Sequence, residues 1–243
     1  MGWIRRTGTR LELALRAFSI APPRRVGPAA CARDRTRALV LLPIIGFLQG
    51  VVLALADRWL WRTQPLTRSM IVVAIGLLLS YGIGVRGVVY TLSRKPFAGA
   101  SSGRVLVWLF AALMVLLEIY WLSRIGAPPR RGRALVLAML LSRWSTVPIG
   151  YGLKATGSDG LGIPFDGAIT FGDFAFSSLI ALGVAMTAYD LVALVAIVTV
   201  ALTILGLRLG FSRLFGGVDG FALAAGAQVC EFATLGILSV IRL

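Results

Sequence analysis

Apolar stretches of bilayer-spanning length recur along this chain from residue 38 to its end. A hydrocarbon core takes about 20 helical residues to cross. Runs of that kind lie near 38–56, 69–85, 104–123, 134–152, 168–188, 190–208 and 220–241. Lipid offers no partner to a backbone N–H or C=O, so each run must satisfy its own backbone as a helix. The expected fold is therefore all-α, a polytopic integral membrane helix bundle of about seven spans. The division between the fifth and sixth runs rests on Tyr189 and Asp190 alone. Small residues such as Gly206, Ala224 and Gly226 suit close helix packing in lipid.

Composition narrows the chemistry. Of 243 residues, 58% are apolar and 14% charged, unlike a soluble domain. The net charge is +15, and Lys95 and Lys154 are the only lysines, so arginine carries the surplus. In so apolar a chain that surplus points to membrane lipids as partners, or to a phosphorylated substrate. No nucleic-acid partner is expected, since no motif for one is present. There is no histidine, which removes His-based acid–base catalysis, Ser-His-Asp triads and His-ligated zinc. Cys31 precedes the first run and Cys230 lies inside the last, so neither a disulfide nor a metal-ligand spacing is expected.

Residues 38–243 read as one transmembrane domain, with no linker or composition shift inside it. Before it lies a basic segment, 1–37, in which Leu11, Leu13, Leu15 and Phe18 alternate with Arg10, Glu12 and Arg16 as a short interfacial helix would. Under seven spans, sixteen basic residues fall on the N-terminal side, nine of them before residue 38, against eight on the other. The excess of basic residues on the cytoplasmic side of membrane proteins then predicts an inner (plasma) membrane protein with a cytoplasmic N-terminus.

Two polar features sit where the apolar runs should exclude them. Arg143 lies inside the fourth run, at an insertion cost of about 2.5–3.5 kcal/mol. It needs a carboxylate, a phosphate or carbonyls as partner, unless it snorkels from one turn inside the interface. Its planar fork suits a phosphate or pyrophosphate. Glu231 lies inside the last run, three residues after Gln228, so the two share a helix face. It reads equally as a functional carboxylate and as a structural partner for an arginine.

These residues stand in a longer pattern. Arg37-Ala38 leads to Pro43 and Gly46, and Ser142-Arg143 is followed by Asp159-Gly160-Leu161-Gly162. Residues 216–231 carry Gly216, Gly217, Gly220 and Glu231 at the spacing "G-G-x-T-G-D-x-x-G-A-x-x-E-x-x-E". Together they resemble the cobalamin synthase family (adenosylcobinamide-GDP ribazoletransferase), membrane enzymes that join adenosylcobinamide-GDP to α-ribazole or its phosphate with Mg²⁺. The resemblance implies a polar cavity to which Asp159, Asp219, Gln228 and Glu231 contribute, with Arg143, Arg86, Arg94 and Lys95 as candidate substrate-phosphate contacts. The departures are Asp219 for the threonine, Phe221 for the aspartate, Ala224 for a glycine and Gln228 for the first glutamate.

The family's acidic motif, "G-x-H-x-D-G-x-A-D-x-x-D-G", falls on residues 82–94. Gly82, Gly87 and Thr91 keep the frame. Gly84 stands at the histidine place, and Arg86, Tyr90 and Ser93 stand at the three aspartate places. Mg²⁺ needs hard oxygen ligands, usually with at least one carboxylate, so no metal is expected here although the family uses Mg²⁺. The sequence predicts a diverged member with impaired or lost catalysis. The alternatives are a non-catalytic paralogue that binds a corrinoid or nucleotide or scaffolds an assembly, and a small-molecule transporter. A transporter should show inverted repeats and mid-span polar residues, and neither is evident.

Overall fold

The computed structural model describes residues 38–80, 82–93, 101–126, 128–156, 165 and 169–241. The expected interfacial helix within 1–37, together with Arg94, Lys95 and Asp159, lies outside the described residues. A short 3-10 turn, Leu39–Leu41, leads into α1 (Leu42–Trp59). There follow α2 (Pro65–Leu79), α3 (Ile83–Leu92), α4 (Ser101–Arg124), α5 (Pro128–Gly150), α6 (Phe171–Phe215) and α7 (Gly220–Val240). The only extended pairing among the described residues is a parallel bridge between Ala155 and Val218. An all-helical membrane bundle is what the chain forms.

Local chemistry places the helix ends. Pro65 opens α2 from its first turn, where its missing N–H costs nothing. Thr170 and Asp173 form a capping box at the start of α6, each side chain bonding the other's backbone N–H, and this satisfies two orphan donors. Gly216 closes α6 at φ 67°, a left-handed conformation that a Cβ would penalise. Asp219 then caps α7, its Oδ1 accepting from the Ala222 N–H at 2.7 Å. Pro148 interrupts the ladder of α5. Beyond it, the Arg208 guanidinium donates to the carbonyls of Pro148 and Tyr151, placing positive charge at the negative end of a helix.

Among the described residues, four helical segments could cross a membrane by length and composition, Leu39–Trp59, Val105–Arg124, Leu191–Phe215 and Gly220–Val240, or five with the bent pair α2–α3. The expected count of about seven is not reached on that measure, and each shortfall has a physical cause. The run 69–85 does not continue straight, because α2 and α3 meet at 78°, with Gly82 in the left-handed conformation at φ 60°. Helix α5 carries Arg130, Arg131, Arg133 and Arg143, so it is too polar for lipid. It is shielded instead, and every residue from 134 to 150 is buried.

The expected division at Tyr189 and Asp190 is kept in another form, since Phe171–Thr187 and Leu191–Phe215 are separate apolar stretches within α6, which is helical throughout. It is nevertheless not straight. The Tyr151 ring stacks on Phe174 with centroids 5.3 Å apart, while the Tyr151 carbonyl accepts from Arg208 at 2.6 Å. A straight helix would hold residues 174 and 208 about 50 Å apart at about 1.5 Å per residue. Both reach one tyrosine only because α6 folds back between them. Its two arms bury Ser177, Ala181 and Ala185 before the turn and Ala193, Ala196 and Val200 after it.

Helix α5 is therefore the axis of the bundle, with α1, α6 and α7 packed on it. Small residues set these distances. A Cβ on Gly50 of α1 would stand 2.6 Å from the Val136 Cα of α5. One on Gly226 of α7 would stand 2.6 Å from the Ile149 Cδ1 of the same helix.

Candidate functional site

The buried end of this packing is polar. Arg143 projects from α5 beside Gly46 of α1, where an added Cβ would stand 2.7 Å from the Arg143 Cγ. The side chain is 2% exposed. Its Nε donates to Gln49 Oε1 at 3.2 Å and its Nη1 to Ser142 Oγ at 3.3 Å. Ser142 Oγ in turn donates to the Ala227 carbonyl of α7 at 2.9 Å, tying the two helices together at the level of the arginine. The guanidinium also feels two carboxylates, Glu231 from α7 and Glu118 from α4. Gln228 Nε2 donates to Glu118 Oε1 at 2.7 Å. One cation, two acids and two amides from four helices thus share a single water-poor interior.

Glu118, Gln228 and Glu231 line a small cavity, with Ser80 at one edge and Leu53, Met139 and Leu235 among the apolar walls. The volume open to the centre of a water molecule is about 20 Å³, which holds roughly one water. An isolated charge in such surroundings is expensive, whereas a hydrogen-bonded cluster of opposite charges is tolerated. Arg143 and Glu231, expected to be costly inside their spans, are brought into the same cluster. Asp219 does not line this cavity; it is buried at the N-terminus of α7 as the helix cap.

Helix α3 lies across α7 beside this cluster. Gly84, at the family's histidine place, is where Gln228 passes, and an added Cβ would meet the Gln228 side chain at 3.0 Å or less. At Gly87 a Cβ would come 2.7 Å from the Ala225 backbone nitrogen and 2.8 Å from the Phe221 carbonyl, so the two helices touch backbone to backbone. Arg86 and Tyr90 are exposed and Ser93 half-buried, and their spacing sets all three along one helix face. Tyr90 packs on Phe221 of α7 with ring centroids 4.1 Å apart. By the sequence resemblance, Phe221 stands at another aspartate place, so two positions matched to acids on two helices meet here as an aromatic pair.

These residues do not fit Mg²⁺. An arginine, a phenol, a hydroxyl and a phenyl ring offer no carboxylate, and a guanidinium repels a divalent ion by several kcal/mol at about 4 Å even at an effective dielectric near 20. Among the described residues no cluster of three or more His, Cys, Asp or Glu side chains could hold a metal.

Glu118 and Gln49 are members of the buried cluster that motif reasoning passes over. The signal was present for Glu118, the only charged residue between Arg104 and Arg124; a lone carboxylate in a span marks a functional or paired site. Gln49 carries no comparable signal.

The cluster predicts coupling. Arg143→Met or Glu231→Gln alone should each lower stability in detergent by about 3–5 kcal/mol, since each strands a buried charge. The double variant should lose less than the sum, by about 0.5–3 kcal/mol. A double-mutant cycle on thermal unfolding measures this, and strict additivity would show that the two charges do not interact.

Residues 103–239, more than half of the chain, match the family model described as cobalamin-5-phosphate synthase. No curated protein and no solved structure matches the chain.

Proposed function

Because the chain belongs to the cobalamin-5-phosphate synthase family, we propose that it is a diverged member that has given up Mg²⁺-dependent nucleotide-loop transfer at the family's acidic site. The family relation supports a cobalamin-synthase-like role in a membrane. The family's reaction joins adenosylcobinamide-GDP to α-ribazole or its phosphate. Transfer of this kind depends on neutralising charge at a pyrophosphate. The observation that carries the proposal is the Tyr90–Phe221 contact at 4.1 Å, with Arg86 exposed one turn before it. Those positions supply a positive charge and an aromatic surface where the reaction needs acids and a metal.

The retained chemistry suits binding. A guanidinium such as Arg86 can hold a phosphate or pyrophosphate directly, without a bridging metal. A corrinoid or a nucleotide-bearing intermediate is the ligand class this supports. The buried cluster around Arg143 acts behind that face, fixing α4, α5 and α7 relative to one another.

Complementation tests the proposal. A host lacking its own cobalamin synthase should remain unable to make cobalamin when it expresses this chain, with the protein verified in the membrane fraction. Cobalamin-dependent growth restored by the unaltered chain would sink the reading.

Orientation belongs to the same proposal, with the N-terminus and the 151–156 and 216–219 segments cytoplasmic in the inner membrane. The support is the run of nine basic residues before residue 38, ahead of the first span. In a background lacking Cys31, a membrane-impermeant maleimide applied to intact cells should label Arg130→Cys and spare Thr156→Cys. The reverse pattern would invert the topology.

A further inference from the structure

At the opposite end of the bundle from the Arg143 cluster, α1 and α5 part to leave a groove of about 1170 Å³. Each helix offers it a matched stripe. Val51, Ala54, Leu55 and Arg58 follow one another on α1 at helical spacing, and Pro129, Gly132, Arg133 and Val136 do the same on α5. On α1 the apolar members lie deeper along a membrane-spanning helix and the arginine lies at its end. The floor is closed where Gly132 approaches Ala54, since a Cβ on the glycine would come within 3.3 Å of the alanine Cβ. At the mouth stand Arg62, Trp59 and Trp61. The two indoles are 86% and 58% exposed, which is where tryptophan sits when it marks a headgroup level.

The charge at this mouth is one-sided. Arg58 and Arg133 have no acidic partner among the described residues, and Asp57 is the only acid in residues 38–80 and 128–156. Asp57 is already taken. Its Oδ1 faces Arg131 at 2.9 Å and Arg68 at 3.2 Å, both buried. Two guanidiniums thus share one carboxylate directly behind the groove, with Asp57 adjoining Arg58 and Arg131 adjoining Gly132 in sequence. Arg131 Nη1 has no hydrogen-bond partner in this interior. The local field is positive through the depth of the site.

We infer that this groove is a binding site for an anionic phospholipid, the phosphate held by Arg58 and Arg133 and an acyl chain lying along Leu55 and Val136. Apolar walls leading to a basic, tryptophan-rimmed mouth match the two halves of a lipid and not a free anion, which would use the mouth alone. Basic pockets between membrane helices recognise phosphate headgroups in this way. The inference is independent of whether the transferase site is active.

The test uses the full chain in uncharged detergent, titrated with phosphatidylglycerol carrying brominated chains, which quench tryptophan on contact. Saturable quenching is expected, on the order of tenfold or more tighter than with phosphatidylcholine of the same chains, at about fivefold per arginine. Arg58→Gln with Arg133→Gln should bring phosphatidylglycerol down to the phosphatidylcholine affinity, while Arg124→Gln should change nothing. Equal affinity for the two lipids, or full affinity in the double arginine variant, overturns the site. Competition by millimolar inorganic phosphate would overturn the lipid in favour of a free anion. Should the double arginine variant fail to fold, Trp59→Phe with Trp61→Phe serves in its place. Loss of the tight quenching component supports the site, and its retention overturns it.

Discussion

Placing Arg143 inside a membrane bundle is the constraint on which the rest of this fold depends. A guanidinium in lipid is costly, so the helix that carries it cannot face lipid. Every residue of α5 from 134 to 150 is accordingly buried, with α1, α6 and α7 wrapped around it. That enclosure requires close approach, which Gly46, Gly50 and Gly226 permit at the contact points. It also requires partners, which Gln49, Glu118 and Glu231 supply from the surrounding helices and Ser142 from α5 itself. A single charge therefore dictates which helix is central, which faces carry glycine and where the acids lie.

The same logic explains what could be read from the sequence and what could not. Helix type and membrane character follow from run length and composition, and Arg143 and Glu231 stand out because charges are rare in apolar runs. Glu118 was equally conspicuous but lay outside the motif pattern. The number of crossings was not legible, because hydropathy treats α5 and α2–α3 alike as linear text. Hydropathy cannot register that neighbouring helices bury Arg131 and Arg143, or that the chain turns through 78° at Gly82. The fold-back of α6 was legible as the division between the fifth and sixth runs, and Tyr151 touching both Phe174 and Arg208 requires it. Asp219 looked like a cavity acid and proved to be a helix cap, a role its place just before α7 makes natural.

The face beside the buried cluster is held by ring packing and close backbone contact. Gly84 and Gly87 let α3 lie directly on α7, so the positions that the resemblance matches to acids face one another. Tyr90 and Phe221 now occupy two of them as a ring contact, and Arg86 takes a third. Ring packing stabilises the α3–α7 contact without metal, where carboxylates would have needed a cation between them to avoid mutual repulsion. On the proposed reading, the missing ligands and the ring packing are two sides of one arrangement.

Metal affinity tests that claim most directly. Purified full-length protein can be titrated with Mn²⁺ as a Mg²⁺ surrogate, with free ion followed by electron paramagnetic resonance. The unaltered chain should show no saturable binding, and the triple variant Arg86→Asp, Tyr90→Asp, Phe221→Asp should gain a site. Stoichiometric Mn²⁺ binding by the unaltered chain would contradict the account.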